Sequence, residues 1–260
     1  MKPIIPMIAI IAVTSLLLIP VVTVYASTSL PMTGSQWAIL ELSGSKLTTS
    51  HADTIPADGG VEFLLPDAAG TPAGYVNLLA NGFTASLTTS DTLTATIQIV
   101  TSLATTMFVG NPDGGCPALG GTNCPGTVRL YFASNLPQAG MSSCLGNNGN
   151  SNHPIVANEF DYWWSHGVQA TFLNPGGYYQ FSPTGGSNGV ITLQVSLDPL
   201  NWSDLCGTPG NLAAASFIAS LANIKNVGLS FGSGFFFENG VGVDGTTGSA
   251  TFQLTTYTIS

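Results

Sequence analysis

Apolar and polar residues alternate in short runs along much of the chain. Leu93, Ala95, Ile97 and Ile99 alternate with Thr92, Thr94, Thr96 and Gln98. Ile191, Leu193, Val195 and Leu197 alternate with Thr192, Gln194 and Ser196, and Ala250, Phe252 and Leu254 with Thr251, Gln253 and Thr255. A period of two turns one side of a strand toward a core and the other toward water. Further strands are expected over Trp37–Leu42, Val61–Leu65, Tyr75–Leu79, Thr127–Ala133, Phe160–Trp164, Val227–Phe231 and Phe235–Phe237. Turn dipeptides separate them: Asp58-Gly59, Asn81-Gly82, Asn188-Gly189, Asn239-Gly240 and Asp244-Gly245. Only Asn211–Asn223 places apolar residues three and four apart, which predicts one short helix with Asn211 as its cap.

Many short alternating strands with explicit turns predict an all-β chain: a single jelly-roll-type antiparallel β-sandwich over residues 27–260, with one short helix. No linker rich in Pro, Gly or Ser divides it, and it has no internal repeat. Composition sharpens this picture in one respect. Charged residues make up only 7% of the 260 residues, against about 25% in ordinary soluble domains. The exterior must therefore be built from Thr, Ser, Asn, Gln and Gly. Four Lys and Arg against 13 Asp and Glu leave a net charge of −9 and no basic stripe, which excludes nucleic acid as a partner class.

Residues 1–26 carry the pattern of a secretory signal. Lys2 is a minimal positive start, Met7–Ile19 an apolar run, Pro20 a helix breaker, and Val24-Tyr25-Ala26 a cleavage site that would leave Ser27 first. The competing reading is a retained anchor, because Ile4–Ala26 is long enough to span a bilayer; membrane contact is expected only through that uncleaved segment. A secreted or cell-surface location agrees with four cysteines, Cys116, Cys124, Cys144 and Cys206, read as disulfide partners. The short loop between Cys116 and Cys124 makes these two the simplest pair, leaving Cys144 with Cys206. Asn201-Trp202-Ser203 is the only N-glycosylation sequon.

Trp37–Ser260 resembles the jelly-roll domains of secreted proteins with a galactose-binding-like or carbohydrate-binding-module topology. The resemblance rests on Thr127–Ala133 (TVRLYFA), Phe160–Ser165 (FDYWWS), Ile191–Ser203 and Asn226–Thr251. It implies the sandwich fold strongly and a ligand weakly.

Three patterns bear on chemistry. Gly228-Leu229-Ser230-Phe231-Gly232 matches the Gly-x-Ser-x-Gly nucleophile motif, but that motif needs a strand, a sharp turn and a helix, and a histidine after the serine. Here His51, His153 and His166 all come before it, and a second strand is expected after it. Glu159 and Asp161 resemble the start of the Glu-x-Asp-x-x-Glu motif of retaining jelly-roll glucanases, which needs a second carboxyl about 5–5.5 Å away. The position of the acid/base is Trp164, so the motif is incomplete.

The third pattern is a binding face. Glu159, Asp161 and Trp163 alternate along one strand, and Arg129 and Tyr131 along another. A ring to stack on sugar C–H groups, with a guanidinium and carboxylates to bond hydroxyls, would hold a glycan. The plainer reading is an Arg129–Asp161 pair inside the sandwich, with both tryptophans in the core. No cofactor is expected; structural calcium at Asp113 or Asp244 stands beside simple Asx turns. The sequence thus predicts an exported, non-catalytic domain that recognises an extracellular glycan or cell-surface polymer. The alternatives are a structural matrix or filament subunit and, behind it, a glycoside hydrolase.

Overall fold

The computed structural model describes residues 27–43, 46–55, 59–66, 74–80, 82–103, 108–110, 127–136, 161–165, 170–171, 189–204, 207–232, 240–243 and 248–260. In chain order its strands begin with β1 (Thr28–Ser29), β2 (Trp37–Ser43), β3 (Lys46–His51), β4 (Asp53–Ile55), β5 (Gly60–Leu64) and β6 (Gly74–Ala80). Next come β7 (Thr92–Thr101), β8 (Phe108–Gly110), β9 (Thr127–Ser134), β10 (Asp161–Ser165), β11 (Ala170–Thr171) and β12 (Gly189–Ser196). Then follow β13 (Trp202–Asp204), helix α1 (Ala214–Leu221), β14 (Ile224–Gly232), β15 (Val241–Val243) and β16 (Ala250–Ile259). Every pairing is antiparallel, so the chain is all-β with one helix among the described residues.

The strands form two sheets. Six make the first, in the order β12-β7-β16-β5-β4, with β1 extending the far end of β16. Ten make the second, with the main path β13-β10-β9-β14-β6-β15-β8, β11 beside β9, and β2 and β3 beside β6. Their facing sides share one core. Phe63 and Phe252 of the first sheet meet Phe231 of the second at centroid distances of 5.7 and 4.9 Å, and Trp37 meets Tyr257 at 5.6 Å. These apolar faces hold the sandwich together, at about 25 cal/mol for each Å² removed from water.

The three alternating runs form β7, β12 and β16 with the predicted sides inward. Along β7 every second residue from Leu93 to Thr101 is buried and those between are partly exposed. In β16 the alternation breaks at a bulge between Leu254 and Thr256, after which Tyr257 and Ile259 take the inward positions. An extra residue in one strand shifts its side-chain phase, so Thr256 and Thr258 point to water where an unbroken alternation would turn them inward.

The helix is shorter than its apolar spacing suggests, and Asn211 does not cap it. Residues 211–213 form a turn, with the Leu212 and Ala213 amides donating to the Pro209 and Gly210 carbonyls, and the cap position falls on Ala213, which makes no side-chain bond. Asn223 closes the other end through Nδ2 to the Ala219 carbonyl at 2.9 Å. The helix lays Phe217 and Leu221 over the end of the core, where Phe217 meets Trp163 edge-on at 4.9 Å. The turns at Asp58-Gly59 and Asn81-Gly82 have Gly59 and Gly82 at φ +66° and +72°, the left-handed region those dipeptides provide for. Phe235–Phe237, residues 1–26, Asp113, Asp244 and all four cysteines lie outside the described residues. No helix among the described residues is long and apolar enough to cross a membrane.

Candidate functional site

Strand register decides where the expected binding residues go. In β10 and β9, Trp163 lies opposite Phe132, and Trp164 opposite Tyr131. Directly opposed residues share a side of the sheet, so Trp163 joins Phe132, Leu130 and Val128 on the core side. Tyr131 joins Trp164 and Tyr162 on the other. The single face expected from Arg129, Tyr131, Asp161 and Trp163 is therefore corrected: Trp163 and Tyr131 lie on opposite sides of one sheet. Trp163 is 1% exposed and packs among Phe132, Phe217 and Trp202. A ring held there packs the core and has no side open to a ligand.

The Arg129–Asp161 pair also fails on register. Asp161 opposes Ser134, and Arg129 lies five residues further along β9, roughly 17 Å away at about 3.4 Å per residue. Arg129 instead lies opposite Ser230 of β14. It is 5% exposed, and desolvation lowers its pKa to about 9, so it remains a buried cation at neutral pH. Glu159 lies outside the described residues.

Behind the second sheet sits a buried aromatic row. Tyr131 stacks on Tyr162 at 6.0 Å and Tyr162 on Trp164 at 6.2 Å, with planes within 18° of parallel. The Tyr131 phenol donates to Asn226 Oδ1, and burial, with a smaller contribution from neighbouring tyrosines, raises its pKa well above the ordinary value. Gly228 lies opposite Tyr131; a Cβ there would come within 2.0 Å of the Leu78 carbonyl oxygen, so β14 and β6 approach closely only because position 228 is glycine. This accounts for the first glycine of the Gly-x-Ser-x-Gly pattern. Ser230 is buried in mid-sheet, between Arg129 and Asn77 in register, and not at an exposed turn. The local structure a serine nucleophile needs is not there.

The sequon is likewise built into the fold. Asn201 Nδ2, the atom a glycan would occupy, donates to Ser196 Oγ at 2.9 Å, while Trp202 and Ser203 are buried. Trp202 Nε1 donates to the Ser196 carbonyl, and Asp198 Oδ1 accepts from the Leu200 amide, so the segment is a tight corner between β12 and β13.

What the described surface does present is the outer side of the first sheet. Its polar positions line up in rows across strands: Thr192, Thr96 and Thr256; Gln194, Thr94 and Thr258; and Val190, Gln98, Gln253 and Glu62. Strands lie about 4.8 Å apart and same-side residues about 6.8 Å apart along a strand, so these groups form a regular grid. Thr96 and Thr192 hydroxyls are 3.2 Å apart, and Glu62 accepts from Gln253 Nε2 at 2.7 Å. Asp53 of β4 lies opposite Glu62, so charge enters only at the β5–β4 end of the sheet.

Alternation in the sequence places Thr94, Thr96, Gln98, Thr192, Gln194 and Gln253 on wet sides, but it holds no signal for their alignment across strands or for the bulge that brings in Thr256 and Thr258. The recess between Leu30, Trp37, Ala80 and Phe83 measures about 190 Å³, below the roughly 300–1,000 Å³ of ligand pockets. Among the described residues no group of three or more His, Cys, Asp or Glu could hold a metal ion. Compared with known protein families and with curated proteins, the chain matches none.

Proposed function

We propose that the protein is an exported, non-catalytic jelly-roll domain that recognises a neutral, hydroxyl-rich polymer of the extracellular glycan class. The recognition surface is the outer side of the six-stranded sheet, and not the strands around Arg129 and Trp163. One observation carries this reading: two rows of threonine and glutamine side chains in register across β12, β7 and β16, with Gln98 and Gln253 adding a third pair across β7 and β16. Each hydroxyl both donates and accepts, and each amide does so at separate atoms, which is the complement a sugar hydroxyl array requires. The strands β12, β7 and β16 that carry the grid bring no charged side chain to this side, and the carboxylates Glu62 and Asp53 stand at its β5–β4 end, so the grid itself offers little to an ionic partner. A broad, shallow grid suits a long polymer better than a small molecule, and such contacts are individually weak.

The test is retention of the purified protein on a panel of immobilised neutral and acidic polysaccharides, beside the double variant Thr96→Lys, Gln98→Lys. Retention on a neutral polymer that the variant loses, with an unchanged melting temperature, is the expected result. Retention by neither protein, or equal retention by both, overturns it.

A further inference from the structure

The geometry points to β12 as a dimer interface: its edge away from β7, which no described strand pairs, pairs antiparallel with β12 of a second copy and joins the two six-stranded sheets into one. Exposed sheet edges are templates for further strands, and proteins blunt them with short strands, charges, proline or bulges. The other edge strands described here are blunted in this way. In the first sheet β4 has three residues and begins with Asp53, and β1 has two. In the second sheet β13 has three residues and ends with Asp204, β8 has three, and β3 carries Lys46 and His51.

β12 has none of these devices. It is eight residues long (GVITLQVS), with no charge and no proline, and it pairs β7 through eight consecutive positions without a bulge. Among the described residues no strand pairs its other edge. Val190 is 57% exposed, and Ile191 faces the core yet is only partly buried.

The sequence of β12 selects a second copy over an unrelated strand because it is nearly symmetric about Leu193. A two-fold axis through Leu193, perpendicular to the sheet, puts Leu193 opposite Leu193, Ile191 opposite Val195 and Thr192 opposite Gln194. Apolar positions then meet apolar ones on the core side and Thr192 meets Gln194 on the wet side, with Val190 opposite Ser196 at the ends, so both faces continue across the junction. The net charge of −9 opposes association in general, but no charged residue lies on this strand. Such an isologous contact closes at two copies. Growth into a filament would require the opposite edge, which β4 blunts. Pairing is independent of glycan recognition, since it uses backbone groups at the edge and not the face.

Sedimentation of the purified protein over a concentration series, without any glycan, tests it. A reversible dimer is expected. Thr192→Lys with Gln194→Lys places like charges directly across the two-fold and should weaken the dimer about tenfold or more. An equimolar mixture of that variant with Thr192→Glu, Gln194→Glu should restore the dimer as a mixed pair, which also shows that both variants fold. A parent that stays monomeric, assembles beyond two, or forms a dimer untouched by the double lysine variant overturns the inference, as does failure of the mixed pair to form.

Discussion

The two sheets of this sandwich solve opposite problems. The six-stranded sheet has one dry side and one wet side, and along β7 burial and partial exposure strictly alternate. The ten-stranded sheet is dry on both sides across its middle: all eight residues of β9 are buried, and Tyr131, Ala133, Tyr162 and Trp164 form a second apolar cluster behind it. In the first sheet a polar residue marks the surface. In the second, polar residues such as Arg129, Ser134 and Ser230 are interior parts, and polarity says nothing about access to solvent. Polar residues therefore report access to solvent along the outer side of one sheet and not on the other.

Truncation at matched depth gives the largest contrast. Trp163→Ala removes a ring wedged between Phe132 and Phe217 and should cost about 3–5 kcal/mol. Thr192→Ala, on the exposed side of β12, should stay within about 0.5 kcal/mol. Chemical denaturation of both beside the parent measures the difference. A Trp163→Ala variant as stable as the parent would mean that the ring is not in the core.

That contrast also explains how much the sequence disclosed. The strands β7, β12 and β16 follow from a period of two, because water on one side imposes it, and the helix region follows from apolar residues three and four apart. β9 and β10 were also found as strands, yet TVRLYFA and DYWWS contain rings and aliphatics at nearly every position, so no period tells which side meets the larger core. The answer lies in the register, which makes Trp163 the partner of Phe132 and Trp164 the partner of Tyr131. Register depends on residues far apart in the chain, and no local pattern encodes it. The same holds for the glutamine and threonine rows: the members on β7 and β12 and Gln253 are visible as a polar alternation, but Thr256 and Thr258 enter only through the bulge, and the alignment is a property of three strands together.

A smaller effect separates glycines that serve turns, such as Gly59 and Gly82, from those that serve close packing, such as Gly228. Gly228→Ala would drive a Cβ into the Leu78 carbonyl, and since backbone must move to admit it, a loss of about 1–3 kcal/mol is expected. Equilibrium unfolding reads it directly. If Gly228→Ala is neutral, β14 and β6 are further apart than described and the buried second sheet is less tightly built.

The finest discrimination comes from one buried tyrosine on each sheet. Tyr131 donates its phenol to Asn226, whereas the Tyr257 hydroxyl, buried beside the Gly228 backbone, makes no well-aligned hydrogen bond among the described residues. At neutral pH Tyr131→Phe should therefore cost about 1 kcal/mol, and Tyr257→Phe should be neutral or slightly stabilising, because it deletes an unsatisfied polar atom.

Alkaline pH then tests burial itself. Desolvation raises both phenols above their ordinary value of 10.0, with the Gly228 backbone opposing it partly at Tyr257. Below pH 10 the phenol is protonated in folded and unfolded chains alike and contributes no slope. Above pH 10 the unfolded chain releases this proton while the folded chain retains it, so stability falls, by up to about 1.4 kcal/mol per pH unit for each tyrosine. Each phenylalanine variant removes its own share, and the decline between pH 10 and 11 should become shallower in both. Equal slopes in the parent and the Tyr257→Phe variant would show a phenol that ionises in the folded state, which a position fully inside the shared core does not permit.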